Sequence, residues 1–134
     1  TRDYFHKNGF DKAVLGLSGG IDSALCAVIA TLALGNKNVT GILMPSPFSS
    51  KSSIEDSLLL TKNLKINKIK IPISSIYKCY VQALKNIFKT DDVNLTKENL
   101  QARIRGNILM AISNEFDCKL NISFPSLTIH FIKS

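Results

Sequence analysis

The chain has 134 residues, of which 45% are hydrophobic and 20% charged, and this composition excludes an intrinsically disordered protein. The length is typical of one globular domain. There is no run of about 18 apolar residues, and the polar N-terminal segment lacks the apolar stretch of a signal peptide. We therefore expect a cytoplasmic protein that has no membrane partner.

The formal net charge of +7 comes from one stretch of the chain. Seven lysines and no acidic residue lie between Lys62 and Lys89, whereas the remainder carries ten basic and ten acidic residues. Nucleic-acid-binding surfaces usually combine arginines and aromatic residues in one patch, and these lysines are scattered over several predicted elements. We interpret them as a solvated surface and do not expect a nucleic-acid partner. A patch for another anionic partner is the alternative.

The cysteines Cys26, Cys79 and Cys118 are odd in number and far apart. This spacing argues against a disulfide framework and against a zinc knuckle. We predict reduced, buried thiols.

The first half of the chain predicts a strand–helix–strand unit. The apolar runs 12–17 and 38–44 are typical of buried strands. Between them, Ile21 to Leu34 is apolar nearly all round and is followed by Gly35, which predicts a buried helix with a glycine C-cap.

After a Pro/Ser loop, a capping box of Ser52 with Glu55 predicts a helix that continues to about Leu64. In the segment 68–73, isoleucines alternate with lysines and Pro72. This period of two predicts a half-exposed edge strand.

The second half of the chain predicts a helix over 76–88, a polar turn at 90–92 and a long helix from about Thr96 to Phe116. Apolar residues recur every four positions along the long helix, at Leu100, Ile104, Ile108, Ile112 and Phe116. Asn99, Arg103 and Asn107 form a second stripe beside them. The alternation of strands and helices predicts an α/β fold with a Rossmann-like parallel sheet and helices on both faces.

The most informative motif lies where the first strand meets the first helix. Two glycines there would let the backbone turn and present N–H groups to a phosphate at the positive end of the helix. The plain alternative is a strand–turn–helix connection in which Asp22 stabilises the helix dipole. The candidate phosphate site comprises Gly16, Leu17, Ser18, Gly19, Gly20, Ile21, Asp22 and Ser23.

Ser18 and Ser23 offer hydroxyl donors to such a phosphate, but the Asp22 carboxylate would repel it. A divalent cation between Asp22 and the phosphate removes this conflict. The motif therefore implies Mg²⁺ with Asp22 as its ligand.

The segment Ser18 to Ser23 resembles the pyrophosphate loop of the ATP-pyrophosphatase group, and it lacks the G-K-[ST] ending of a Walker A motif. Two further segments resemble the NAD synthetases within that group. They are GILMPSPFSSKSSIEDS at 41–57 and ENLQARIRGNILMAISNEF at 98–116, which is similar to the family's E-N-x-Q-A-R-x-R helix. The lead-in YFHKNGFDKAVLGLSGG resembles the synthetase domain of the glutamine-dependent members.

The resemblance implies an ATP-dependent ligase that amidates deamido-NAD to NAD through an adenylated intermediate. It implies ATP bound by residues 16–23 with Mg²⁺ at Asp22, and deamido-NAD contacted by Asn99 and Arg103. It implies no covalent nucleophile, so no residue is assigned a catalytic role. Whether ammonia is free or comes from glutamine stays open, as does a homodimer.

The resemblance ends near residue 118. The family continues with a T-T-G-N-K-S-E segment, whereas this chain reads KLNISFPSLTIHFIKS. We expect residues 1–118 to be the N-terminal part of an NAD synthetase domain and 119–134 a divergent tail that could form one further strand.

Such a truncated chain would be weakly active or inactive, with an exposed sheet edge and apolar face that favour aggregation. The alternatives are a non-catalytic ATP-binding remnant or partner subunit, and a tRNA-modifying enzyme of the same group.

Overall fold

A computed structural model describes residues 10–87, 94–115, 118–124 and 127–133, with side-chain environments for 12–87 and 97–115. Its centre is a parallel sheet of β1 (Phe10–Leu17), β2 (Val39–Leu43) and β3 (Asn67–Lys70). The predicted parallel sheet is confirmed in these three strands. The predicted helix 76–88 is shifted in the structure: it begins at Ser74 and ends at Leu84, and residues 85–87 form a turn. The predicted polar turn at 90–92 lies outside the described residues.

The C-terminal segment forms two strands, β4 (Cys118–Phe124) and β5 (Leu127–Lys133), where we expected one. They pair with each other antiparallel, and β5 pairs antiparallel with β1. The strand order is therefore β3-β2-β1-β5-β4, and the sheet is mixed. Pro125 separates the two apolar runs in the sequence, and a proline cannot donate to a strand ladder.

Four helices accompany the strands: α1 (Ile21–Leu34), α2 (Lys51–Leu64), α3 (Ser74–Leu84) and α4 (Asn94–Glu115). Side chains alternate along β1, so Ala13 and Leu15 face one core with α1 and α2. Val14 faces a second core with α3 and α4. The prediction of helices on both faces is confirmed.

The apolar stripe of α4 packs into the second core, as predicted. Ile104 is buried, and Leu100, Ile108 and Ile112 pack against the core while partly exposed. Phe116 lies outside the described residues.

The prediction that α1 is buried all round is wrong. Its alanines Ala27, Ala30 and Ala33 are buried against the sheet, whereas Ile21 is 84% and Leu32 74% exposed. Periodicity could not show this, because both sides of the helix carry apolar residues.

The capping box of Ser52 with Glu55 is also wrong. The N-cap of α2 is Ser50, whose Oγ accepts from the Ser53 N–H at 3.1 Å. Glu55 lies instead within 3.9 Å of Lys51, in an exposed i,i+4 pair. The serine run 49–53 offers several cap candidates, and the one that starts the helix is set by where the preceding loop ends.

The predicted strand lies at one edge of the sheet, as expected, but it covers Asn67–Lys70 rather than 68–73, and all four of its residues are exposed rather than every second one. The buried Ile73 lies beyond the end of the strand. The lysines at 62, 65, 68, 70, 78 and 85 are all exposed, as expected of a solvated surface. Cys26 and Cys79 are free thiols, but Cys26 is only partly buried and Cys79 is exposed, so the prediction of buried thiols is wrong for both. The side chain of Cys118 lies outside the described residues. Within the described ranges, no helix is long and apolar enough to span a membrane.

Candidate functional site

A cavity of about 1160 Å³ opens where the carboxyl ends of β1 and β2 meet α4. Three segments line it: the end of β1 with its following loop, the loop from β2 into α2, and one face of α4. The crevice beyond the carboxyl ends of parallel strands is the usual ligand site of open α/β sheets. This cavity is the candidate functional site.

The loop after β1 is braced by the hydroxyl of Ser23, which is 2% exposed. That hydroxyl donates to the Gly20 carbonyl at 3.0 Å and accepts from the Ser18 N–H at 3.3 Å. The Ser18 hydroxyl in turn accepts from the Gly20 N–H at 3.3 Å. Ser23 therefore holds the loop in shape, and its hydroxyl hydrogen is already donated to the Gly20 carbonyl.

The turn itself depends on Gly19, which has a φ of 80°. A Cβ at this position would lie 2.6 Å from the carbonyl oxygen of Ser53 on α2. The glycine is thus required by backbone conformation and by close packing against α2.

The helix α1 follows this glycine turn. The backbone N–H groups of Ile21 and Asp22, at the start of the helix, have no acceptor within the described part of the chain. Such N–H groups and the helix dipole favour an anion.

The loop after β2 forms the second wall. Its Ser46 and Ser49 are joined by a bond from the Ser46 N–H to the Ser49 Oγ at 2.9 Å. The Phe48 ring packs edge-to-face on Tyr77 at 5.4 Å, and the Lys97 ammonium lies 5.7 Å from its centroid. These contacts attach the loop to α3 and α4.

α4 forms the third wall with its polar stripe. Asn99, Arg103 and Asn107 all line the cavity and are exposed, so the stripe lies where its spacing predicts. Gln101 also lines it but is 8% exposed and donates to the Lys97 carbonyl of its own helix at 3.2 Å.

Arg105 differs from Arg103, its neighbour on the helix. Its Nε–H donates to the main-chain carbonyl of Met44 at 3.1 Å, and the side chain is half-buried on the cavity wall. Burial lowers the pKa of the guanidinium. Arg103 and Arg105 against Glu98 give the described lining a cationic excess, which suits an anionic ligand.

Two carboxylates are relevant to a metal: Glu98 lines the cavity, and Asp22 lies outside its lining. Asp22 is exposed on the first turn of α1, and the described residues contain no group of three or more His, Cys, Asp or Glu side chains that could hold an ion. Mg²⁺ is commonly bound through one or two carboxylates together with substrate phosphates. Asp22 thus fits a Mg²⁺ ion that arrives with a phosphate.

Cys26 lies one turn after Asp22 on α1. Burial, and then the negative charge of Asp22, raise the pKa of its thiol. A thiol in this state is a poor nucleophile at neutral pH.

Comparison with known proteins identifies the family. The family model described as NAD synthase matches residues 1–122. The chain belongs to the NAD synthase family.

Its relatives include the glutamine-dependent NAD(+) synthetases of Thermotoga maritima and Synechocystis sp. They are 58% and 60% identical to the chain over 86% and 85% of its length, and the matched part is 20% of each relative. The structure of a glutamine-dependent NAD+ synthetase from Acinetobacter baumannii in complex with ADP is 40% identical, with a TM-score of 0.78. That match covers 85% of this chain and 22% of the other. The chain thus spans about a fifth of the length of these NAD synthetases.

The structure brings together five of the ten residues predicted from the NAD synthetase resemblance. Gly16, Leu17 and Ser18 line the same cavity as Asn99 and Arg103, although these two groups are far apart in the sequence. The loop residues 19–23, Asp22 included, lie beyond this lining.

Arg105 and Phe48 are among the cavity residues that were not predicted. No role was predicted for Arg105, although it lies four residues after the buried Gln101 and four before the buried Leu109. This i,i+4 spacing was the available signal. No sequence signal placed Phe48, whose position depends on Tyr77 of α3.

Proposed function

We propose that the chain supplies the ATP site and part of the deamido-NAD site of an NAD synthetase. The observation that carries this is the shared cavity: Ser18, where the loop after β1 begins, lines the same space as Asn99 and Arg103 of α4. A volume of about 1160 Å³ exceeds that of most small-molecule pockets, which suits two large substrates.

In this proposal, the ATP phosphates lie against the loop 18–20 and the N-terminus of α1, where backbone N–H groups face them. Asp22 would hold Mg²⁺, which neutralises phosphate charge. Because Ser23 already braces the loop, phosphate contacts come from backbone N–H groups and from Ser18, which is exposed.

The second substrate, deamido-NAD, lies against α4. Asn99 offers an amide and Arg103 a guanidinium on one helix face, four residues apart, so both reach one ligand. The ligand carboxylate would attack the α-phosphorus of ATP, forming an acyl adenylate and releasing pyrophosphate. Ammonia would then form the amide and release AMP.

Rate in such a reaction comes from positioning and from stabilising charge, so no protein nucleophile is needed. The Cys26 thiol, whose pKa is raised, is consistent with this. Ammonia delivery and the remaining substrate contacts belong to parts of NAD synthetases that this chain does not span.

The test is calorimetric titration with ATP, with and without Mg²⁺. We expect binding that requires Mg²⁺ in the parent chain, because Asp22 would otherwise repel the phosphates. In Asp22→Asn the repulsion is gone, so ATP should bind with little dependence on Mg²⁺. Asp56→Asn, an exposed carboxylate on α2, is the matched control and should behave like the parent. Equal binding of ATP by all three proteins with and without Mg²⁺ would contradict the proposed site.

A further inference from the structure

The two arginines of α4 stand in different environments. Arg103 is exposed, and the described part of the chain offers it no hydrogen-bond or ion-pair partner. Arg105 is half-buried and anchored through Nε to the Met44 carbonyl at 3.1 Å. The second arginine therefore has a fixed guanidinium plane.

Met44, whose carbonyl anchors Arg105, is buried and closely packed. Met44 is 5% exposed. A Cβ added to Gly16, at the end of β1, would lie 3.3 Å from the Met44 Cε. The Cδ1 of Leu109, one turn after Arg105, would lie at the same distance of 3.3 Å from such a Cβ. The guanidinium is thus held at the residue that follows β2, on the cavity wall.

The charge of Arg105 lacks a counter-ion among the described residues, where the one ion pair joins Lys51 and Glu55. A cation removed partly from water and not paired with an anion is costly. Its Nε–H is satisfied, but its terminal N–H groups have no protein acceptor in the described part of the chain, and the side chain lines the cavity.

From this geometry we propose that Arg105 binds a phosphoryl oxygen of the ligand, with its fork oriented by the Met44 carbonyl. The inference rests on the proposed function for the identity of the ligand, and it adds a residue to that site. A phosphate would supply the missing counter-charge and accept the terminal N–H bonds. Both ATP and deamido-NAD carry phosphates, so either could be the source.

The test measures affinities of the 134-residue chain for ATP with Mg²⁺, deamido-NAD, pyrophosphate with Mg²⁺, and adenosine. The main variant is Arg105→Met, which keeps the apolar stem and removes the charge. We expect it to weaken at least one phosphate-bearing ligand by about tenfold or more and to leave adenosine unchanged. The nucleotide that loses affinity identifies the source of the phosphate.

Two further variants keep the result decisive. Arg105→Lys retains a charge without the fork and should recover only part of the affinity, and it carries the test if Arg105→Met fails to fold. Lys62→Met removes an exposed positive charge on α2 and should match the parent. Thermal unfolding of each variant checks that it is folded.

The outcomes separate this inference from the proposed function. The inference would be overturned if Arg105→Met bound every phosphate-bearing ligand as tightly as the parent chain does. It would also be overturned if the variant lost as much affinity for adenosine as for the phosphate-bearing ligands, because the bond from Arg105 to the Met44 carbonyl would then have only a structural role. A parent chain that binds pyrophosphate through Arg105 but neither nucleotide would refute the proposed function and leave Arg105 as a phosphate contact. A parent that binds none of the probes would refute both.

Discussion

Gly19 shows at the residue scale how one position can be required for reasons unrelated to a ligand. The phosphate interpretation gave Gly19 and Gly20 the same role, but the structure separates them. Gly19 has a φ of 80° and faces the Ser53 main chain, whereas Gly20 has a φ of −81° and a Cβ there would meet only the Ser18 hydroxyl, at 3.3 Å.

We therefore expect Gly19→Ala to lower the free energy of unfolding by about 1–3 kcal/mol, from backbone strain and the contact with Ser53. Gly20→Ala, the matched control, should change it by less than about 1 kcal/mol. Urea denaturation of the two variants without ligand provides the comparison. Equal stabilities would mean that the turn tolerates a side chain at both glycines.

At the scale of the element, α4 connects the second core with the cavity. One side of the helix packs into that core, and its polar stripe lines the cavity. We expect Arg103→Lys to weaken deamido-NAD by about 1–2 kcal/mol, since a point charge replaces a planar fork. ATP affinity should hardly change. Calorimetry with each ligand measures this, and Lys78→Arg, at an exposed position of α3, serves as the control. If the variant binds both ligands as tightly as the parent does, Arg103 does not contact deamido-NAD.

The elements predicted best from sequence were those with a single period. The two stripes of α4 followed from spacing alone, because this helix has one apolar and one polar side. The period of two in 68–73 predicted the edge position of β3 but not the exposure of all four of its residues. The exposed face of α1 and the fixed position of Arg105 could not be predicted in this way. Both depend on which neighbour covers a helix, and that is a property of the tertiary fold.

The β4–β5 pair shows a related limit. The sequence indicated strand-forming residues after 118, but a strand's partner and direction depend on which sheet edge is open. β1 offers that edge, and β5 pairs with it antiparallel.

At the scale of the whole molecule, the exposed apolar face of α1 favours self-association. Leu25 is 57% and Leu32 74% exposed, on the side of α1 turned away from the sheet. We expect Leu25→Gln with Leu32→Gln to raise the concentration at which the chain aggregates, since glutamine is a good helix former and removes apolar surface. The free energy of unfolding should change by no more than about 0.5 kcal/mol per site.

Static light scattering over a concentration series measures this effect. Lys37→Gln, at an exposed position next to α1, tests whether any polar surface change has the same result. Identical scattering by the parent and the double variant would show that association proceeds through another surface.

The pairing of β1 with both β2 and β5 bears on how fast the chain folds. Ala13 pairs with Val39 on one side and with Phe131 on the other, so the second contact closes a loop roughly four to five times longer. By loop-closure entropy the longer loop costs about 1 kcal/mol more before any packing offsets it. Contacts of such long range slow folding, so β1, β2 and α1 should assemble first and the β4–β5 hairpin should dock afterwards.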